Sequence, residues 1–243
     1  MARLPRLVVP GLPHHLVQQG HHHQPVFETD DDYHAYLQAL RDAALTYQVA
    51  IHAYALLPTG VHVLATPADA TGLSRMMQAV GRRYVAWHNR VRGRSGTLWE
   101  GRFRATVLDP QEHLLATMLY VDTAIQRADP SLDPARWPWS SYAHHLGRRS
   151  EPFLTAHRLY WALGNTPFDR EARYQALAER GLSSAQLRQI GDATWKGWAL
   201  GSASFTASLS QATDRPLAPR KRGRPKKDLT LSPIKDQKEV MND

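Results

Sequence analysis

The chain has 243 residues, 42% of them hydrophobic, and a formal net charge of +8, which suits one or two domains with a hydrophobic core. It contains no cysteine, which excludes disulfides, cysteine nucleophiles and zinc-thiolate sites. No apolar stretch approaches the roughly 20 residues of a membrane span and no signal peptide is recognisable, so we expect a cytoplasmic protein without a membrane partner. The positive charge favours a polyanionic partner, with nucleic acid ahead of a membrane surface.

The first half of the chain predicts seven elements in the order strand, helix, strand, strand, helix, strand, helix. Thr29 and the three aspartates after it predict a helix start, since carboxylates are favourable at a helix N-terminus. The Pro-Thr-Gly sequence after Leu57 predicts a tight hairpin. The predicted ranges are 12–18, 31–48, 49–57, 61–66, 73–92, 98–108 and 110–127. This order is that of an α+β fold with a ferredoxin-like split βαββαβ sheet and one added helix.

The second half predicts a small helical module and a basic tail. We expect a first domain over 1–147, a helical module over 148–214 with helices at 169–180 and 184–195, and a disordered tail over 215–243. The tail contains RKRGRPKK, which is similar to an AT-hook, a flat segment that inserts arginines into a narrow minor groove. Arg222, Arg224 and Lys226 are therefore candidate DNA contacts, and a merely solubilising tail is the alternative.

Two rows of arginine are predicted on the first domain. Apolar residues at intervals of three and four predict the buried face of the helix at 73–92. Four arginines share its opposite side: Arg75, Arg82, Arg83 and Arg90. In the strand at 98–108, alternation places Arg102 and Arg104 on one face. A solvated charged surface would explain each row alone, but two neighbouring rows favour contact with the phosphates of a nucleic acid.

Three residues interrupt apolar patterns and are candidates for chemistry. His62 lies within an apolar strand, where a single histidine is more often structural than a metal ligand. In the helix at 110–127, Tyr120 points nearly opposite the apolar stripe, as an exposed tyrosine or as a phenol beside a site. Asp122 lies inside that stripe, where a carboxylate is costly unless it is paired or binds a metal. A buried salt bridge is at least as good an explanation as metal binding.

Several separated motifs resemble a known family. They occur in the order PGLPHHLVQQG with QPVF after it, LLPTGVH, SGTLWEGRFRA, LLATMLY with VDTAIQRA after it, and WPWSSYAHH. Over residues 3–147 this pattern resembles the REP-associated tyrosine transposases, which are single-tyrosine HUH endonucleases of bacterial mobile elements. The resemblance implies DNA transposition on single-stranded hairpin DNA by a monomer or homodimer associated with the nucleoid.

The resemblance also implies a mechanism and site residues. A pair of strand histidines holds Mg²⁺ or Mn²⁺ on a DNA phosphate, and a helix tyrosine attacks to form a 5′-phosphotyrosine and a free 3′-hydroxyl. Tyr120 matches the nucleophile and His62 the second histidine. The sequence departs from the family at Gly60, which replaces the first histidine, and at Ala124, which replaces an amide ligand.

These departures leave two interpretations open. In the first, the protein nicks DNA with a metal site rebuilt from His62 and substitutes, for which the candidates are His15, Asp122 and Gln126. In the second, it is a catalytically degenerate, domesticated DNA-binding protein that needs no cofactor. A protein-interaction module with incidental charge is a third, weaker possibility, which the arginine rows argue against.

Overall fold

The structure is a computed structural model that describes residues 6–211, 213 and 215–218. Four strands form an antiparallel sheet in the order β2-β3-β1-β4. Their bounds are His14–Gln19 for β1, Val49–Leu57 for β2, Gly60–Pro67 for β3 and Arg104–Val107 for β4. Helix α1 (Asp30–Thr46) connects β1 to β2, and helix α2 (Gly72–Val91) connects β3 to β4. The described chain is therefore an α+β fold, and β1 and β2 run in the same direction with β3 between them.

The first face of the sheet is covered by α1 and α2 and buries a largely apolar surface. Sheet residues such as Leu16 and Val63 pack there against Leu40 and Leu73. The predicted apolar stripe of α2 is wrong in its last turn, because Val91 is 58% exposed and His88 is buried instead. Seven residues bring Val91 back to within about 20° of Tyr84 around the helix, so helical spacing does not explain its exposure; Val91 is the last residue of α2.

The second face of the sheet is covered by helices from both halves of the chain. After α3 (Pro110–Asp122) and α4 (Ala124–Ala128) come two short helices, α5 (Tyr142–His145) and α6 (Arg158–Trp161). They are followed by α7 (Pro167–Arg180), α8 (Ser184–Lys196) and α9 (Ala203–Ser210). Met118 of α3, Tyr174 of α7 and Ile190 of α8 belong to one buried cluster. The predicted boundary at residue 147 therefore does not separate two hydrophobic cores.

Two predicted elements are shorter in the structure than the sequence suggested. The strand expected at 98–108 is regular only over Arg104–Val107, since Gly96 and Gly101 adopt positive φ angles of 94° and 69°. The helix expected at 110–127 breaks at Thr123, whose hydroxyl donates to the Leu119 carbonyl at 2.7 Å. Such a local hydrogen bond competes with the helix ladder, and the break redirects α4.

Part of the predicted DNA-binding set falls on residues that are not described. Arg222, Arg224, Lys226 and the AT-hook-like segment around them lie outside the described residues. Within the described part of the chain, no helix combines the length and apolarity that crossing a membrane requires.

Candidate functional site

Three rings meet on the second face of the sheet. His62 lies opposite Val17 in the antiparallel pair of β3 and β1, and His15 lies two residues before Val17, so both histidines point to the same face. The ring centroids of His15 and His62 are 5.3 Å apart, and the ring of Tyr120 lies 5.5 Å from His15 and 6.0 Å from His62. The predicted proximity of Tyr120 and His62 is thus observed.

A chain of hydrogen bonds determines the tautomers of the two histidines. The Thr194 hydroxyl contacts the Ile190 carbonyl and His15 Nδ1, each at 2.8 Å. A hydroxyl satisfies both contacts only by donating to the carbonyl and accepting from the ring N–H. His15 Nε2 then carries a lone pair and accepts from His62 Nδ1 at 3.1 Å. This leaves a lone pair on His62 Nε2, to which no described residue forms a hydrogen bond.

Both rings of this chain are neutral. Burial, assisted by the positive charge of Arg127, lowers the pKa of His62 to about 3. Burial, His62 and Arg127 together lower the pKa of His15 well below its usual range. His15 is fully buried, whereas the His62 residue keeps a partly accessible edge. At neutral pH the site therefore offers an unprotonated imidazole nitrogen rather than a cation.

Arg127 lies over the nucleophile candidate. Its guanidinium carbon is 3.7 Å from the centroid of the Tyr120 ring. One terminal nitrogen donates to the Tyr120 carbonyl and the other donates to the Thr123 hydroxyl at 3.2 Å. The helix break at Thr123 makes this possible, because α4 turns Arg127 back over the last turn of α3. We call His15, His62, Tyr120 and Arg127 the Tyr120 cluster.

Helix α8 forms the other side of the Tyr120 cluster. A Cβ atom placed on Gly191 would lie 3.4 Å from the Tyr120 hydroxyl, and Thr194, one turn later, holds His15. Sequence reasoning missed Gly191, Thr194 and Arg127. The two α8 residues contact partners at least 71 positions away in sequence, so no local periodicity could reveal them.

Asp122 belongs to a different group of side chains. Its carboxylate accepts hydrogen bonds from His145 Nδ1 and the Tyr174 hydroxyl, each at 2.6 Å, and from the Ser141 hydroxyl. All four residues are at most 3% exposed. We call them the Asp122 cluster. The paired carboxylate that the sequence analysis offered as the alternative to a metal ligand is therefore observed, with a histidine partner.

The residues around His62 do not fit a divalent metal ion. Metal binding requires lone pairs that converge on one point, at about 2.0–2.1 Å from each histidine nitrogen for zinc. The facing nitrogens of His15 and His62 instead form a donor–acceptor pair, and Arg127 places a positive charge beside them. Gln126 is exposed and forms no hydrogen bond with the cluster. Among the described residues, no three His, Asp, Glu or Cys side chains are grouped so that they could hold a metal.

Gly60 occupies a position that a histidine does not fit. A Cβ atom there would lie 2.8 Å from the carbonyl oxygen of Gln18 and 3.3 Å from the Cα of Gln19. Both atoms belong to the backbone of β1, so relief would require the strand to move. Changing this glycine to histidine would therefore disturb the sheet instead of restoring a metal pair.

The predicted arginine rows do not form one surface. Arg75 of α2 and Arg102 line a cleft of about 410 Å³ together with Arg6, Gln18 and Phe103, and no acidic residue of the described chain lines it. We call these five residues the arginine cleft. Arg104, by contrast, lies opposite Val17 in the pairing of β4 with β1, which places it on the His62 face of the sheet.

The remaining arginines of α2 make no joint site with the cleft. Arg83 forms an ion pair with Asp42, and both side chains are substantially exposed. Arg82 and Arg90 are exposed on α2. The expectation that two rows lie side by side is corrected because α2 and the His62 face are on opposite sides of the sheet.

A comparison with solved structures identifies a similar fold. A REP-associated tyrosine transposase bound to a REP hairpin matches with a TM-score of 0.52 and 16% sequence identity, over 65% of this chain and 92% of that chain. This protein has the fold of a tyrosine transposase. The resemblance found in the sequence motifs is confirmed at the level of the fold, and identity this low shows the fold alone.

Other comparisons add little. A provisionally assigned transposase from Deinococcus radiodurans R1 matches with 22% identity over 51% of this chain and 98% of that chain, but its TM-score of 0.36 is too low to carry an argument. No model of a protein family and no curated protein matches the sequence.

Proposed function

We propose that this protein binds DNA and that Tyr120 nicks it by attacking a phosphodiester. The observation that carries the proposal is the placement of Tyr120 beside the neutral ring of His62 and against the guanidinium of Arg127. In the proposed step the phenolic oxygen bonds to phosphorus while the bond to the 3′-oxygen breaks, which leaves a 5′-phosphotyrosine. The phenolic proton is released to water, with the Nε2 lone pair of His62 as the hydrogen-bond acceptor that orients the hydroxyl, and the departing 3′-oxygen takes a proton from water.

We infer that the arginine cleft holds the DNA backbone. Arg75 and Arg102 line the cleft without a carboxylate from the described residues beside them, and guanidinium groups pair well with phosphate oxygens. The Arg6 guanidinium covers the ring of Phe103, 3.7 Å from its centroid, so the cleft offers charge and not an exposed aromatic ring. Arg102 in the cleft and Arg104 on the Tyr120 face are two residues apart, so a single strand held in the cleft can continue around the β4 edge toward Tyr120.

The sheet type, the hairpin substrate and the further basic contacts expected from the sequence belong to the same proposal. The observed strand order supports the ferredoxin-like interpretation of the sheet. The transposase of the comparison is bound to a REP hairpin, and we propose a hairpin with a single-stranded segment as the substrate here. Arg82, Arg90, Arg222, Arg224 and Lys226 stay candidate contacts with such DNA.

A second candidate function is DNA binding without nicking. The poor fit of a divalent ion at His62, together with Gly60 and Ala124 at expected ligand positions, favours it. Both candidates predict binding; only the first predicts a covalent product. Incubation with a hairpin oligonucleotide that carries single-stranded flanks, followed by denaturing electrophoresis, separates them. The first candidate predicts a protein–DNA adduct that disappears in Tyr120→Phe, and the second predicts a complex that dissociates completely.

Binding itself is tested by its dependence on salt. Affinity for the hairpin should fall steeply as salt increases, and the double variant Arg75→Gln/Arg102→Gln should lower the slope by roughly one unit for each phosphate that is no longer neutralised. Arg83→Gln is the matched control, because Asp42 already pairs with that arginine. A complex that is absent or insensitive to salt would contradict both candidate functions.

A further inference from the structure

We propose that Arg127 supplies the positive charge for attack by Tyr120, so that the reaction proceeds without a divalent metal ion. This inference rests on the nicking function proposed above. It departs from the metal-dependent mechanism that the resemblance to HUH endonucleases implies. Its starting point is the disagreement between that mechanism and the side chains that surround His62.

Attack on a phosphodiester needs a nearby cation. Negative charge is spread over the non-bridging oxygens of the phosphoryl group during transfer, and catalysis consists mainly of positioning and stabilising that charge. A guanidinium group can do this with two parallel N–H donors aimed at two phosphate oxygens. An arginine fixed beside the nucleophile therefore meets the same electrostatic need as a metal ion.

The position of Arg127 satisfies this requirement. Its guanidinium carbon lies 3.7 Å from the centroid of the Tyr120 ring. Hydrogen bonds to the Tyr120 carbonyl and the Thr123 hydroxyl hold the group in place. These contacts and a further one to the Tyr120 side chain use three of the five N–H donors of the guanidinium, so two remain for a phosphate that reaches the phenol.

The charge of Arg127 is not neutralised by a neighbouring carboxylate. No described acidic residue forms an ion pair with it, and no carboxylate contributes to its electrostatic surroundings. The charge is strong enough at the site to depress the pKa values of His15 and His62. A divalent ion bound beside the two histidines would meet the same repulsion, so Arg127 and a metal ion are alternatives at this position.

A purely structural role for Arg127 must be separated from this one. Basic side chains near a helix C-terminus commonly bond the last carbonyls, and Arg127 does this at the end of α3. Arg127→Gln retains an amide donor for the Tyr120 carbonyl but removes the charge. Arg127→Lys retains the charge but loses the fork geometry. If Arg127 only caps the helix, Arg127→Gln should retain adduct formation. If Arg127 supplies the charge, Arg127→Lys should retain more of it than Arg127→Gln.

The experiment measures adduct formation on a hairpin oligonucleotide in excess chelator and in Mg²⁺ or Mn²⁺. We expect the wild-type protein to form the Tyr120 adduct in chelator. Arg127→Gln should slow this by about 100-fold or more, the usual cost of losing one donor to a developing oxyanion, with Arg127→Lys between the two. Arg136→Gln is the control, since Arg136 is exposed and pairs only with Asp133. Thermal unfolding of each variant reports on structural damage.

The outcomes separate the inference from the proposed function. An adduct that forms only with added metal overturns the role of Arg127 and leaves the nicking function standing. The role of Arg127 is also overturned if the adduct forms in chelator and Arg127→Gln does not slow its formation. If Arg127→Gln does not fold, Arg127→Lys decides the question. A folded Arg127→Lys variant that forms adduct no faster than the background rate would contradict the proposal that the charge of residue 127 drives the attack. No adduct under any condition overturns the nicking function and the inference together.

Discussion

Tyr120 and Asp122 lie two residues apart on one helix and belong to side-chain clusters of opposite character. The Asp122 carboxylate is fully buried and accepts three hydrogen bonds from Ser141, His145 and Tyr174. The Tyr120 side chain is partly accessible, and its hydroxyl interacts with the guanidinium of the exposed Arg127 and not with a buried network. Residues separated by two positions are rotated by about 200° around a helix, so the side chains of Tyr120 and Asp122 point to nearly opposite sides of α3.

This contrast shows which polar groups are structural. Buried polar groups in native proteins are hydrogen-bonded, and a completed network fixes the packing around it. The Asp122 cluster ties α3 to α5 and α7 in this way. The Tyr120 cluster ends instead in a partly accessible phenol and in an imidazole nitrogen of His62 that forms no hydrogen bond with a described residue. Substitutions in the two clusters should therefore differ in their effect on stability.

Removing the charge of Asp122 should destabilise the fold far more than removing the Tyr120 hydroxyl. Asp122→Asn cannot accept all three hydrogen bonds and breaks a buried pair, at a cost of about 3–5 kcal/mol. Tyr120→Phe should change the free energy of unfolding by less than about 0.5 kcal/mol, because the side chain is partly accessible and its partner Arg127 is exposed. Urea denaturation of both variants measures the difference. Equal stability losses would contradict the division into a structural and a functional cluster.

Acid should destabilise the protein by protonating the neutral histidines of the Tyr120 cluster. The pKa of His62 is lowered to about 3, so below pH 6.5 the unfolded chain binds a proton that the folded chain does not. Stability is therefore present at neutral pH and is lost as pH falls toward 3, at up to about 1.4 kcal/mol per pH unit for this residue. His62→Gln should flatten the fall in denaturation midpoint between pH 6 and about pH 4. An unchanged pH dependence would show that His62 is not held neutral.

The tight backbone at Gly60 should make this glycine irreplaceable. Gly60→Ala places a Cβ atom 2.8 Å from the Gln18 carbonyl and should cost about 1–3 kcal/mol, as overpacking generally does. Gly81→Ala is the matched control, because a Cβ there meets nothing within 4 Å and Ala favours a helix over Gly by up to about 1 kcal/mol. Thermal unfolding should move in opposite directions for the two variants. Gly60→Ala with wild-type stability would show that β1 yields easily.

The hydroxyl of Thr194 should matter through His15. Thr194→Val leaves the buried ring N–H of His15 without an acceptor, which costs about 1–3 kcal/mol. Thr194→Ser keeps the acceptor and should cost less than half as much. The variants are compared by urea denaturation and by adduct formation, which Thr194→Val should also slow because His62 loses its orientation. Equal stability and equal adduct formation in the two variants would contradict the chain of hydrogen bonds from Thr194 through His15 to His62.

Local patterns in the sequence predicted the scaffold but not the surroundings of the site. Strand β2 was predicted with its observed bounds Val49–Leu57, since an apolar run interrupted only by His52 ends there at the Pro-Thr-Gly turn. The outward direction of Tyr120 followed from helical spacing. The extent of β4 did not, because the positive φ angles of Gly96 and Gly101 interrupt a pattern that alternates correctly.

The missed residues share a physical cause. Thr194 and Gly191 reach the Tyr120 cluster because α8 packs on the sheet face that the sequence left uncovered. Arg127 reaches it because the Thr123 hydroxyl ends α3 one turn early. Both events depend on tertiary packing or on a single hydrogen bond, which hydrophobic periodicity does not encode. The side chains that complete a site are therefore harder to predict than the ring of the nucleophile itself.

The most direct test of the account is a mass-spectrometric search for DNA linked to Tyr120. The protein would be incubated with a hairpin oligonucleotide carrying single-stranded flanks and then digested with a protease and a nuclease. The account predicts a phosphotyrosine-linked nucleotide on the peptide that contains Tyr120, and a shorter DNA product ending in a 3′-hydroxyl. Intact DNA with an unmodified peptide, or an adduct on a different residue, would contradict it.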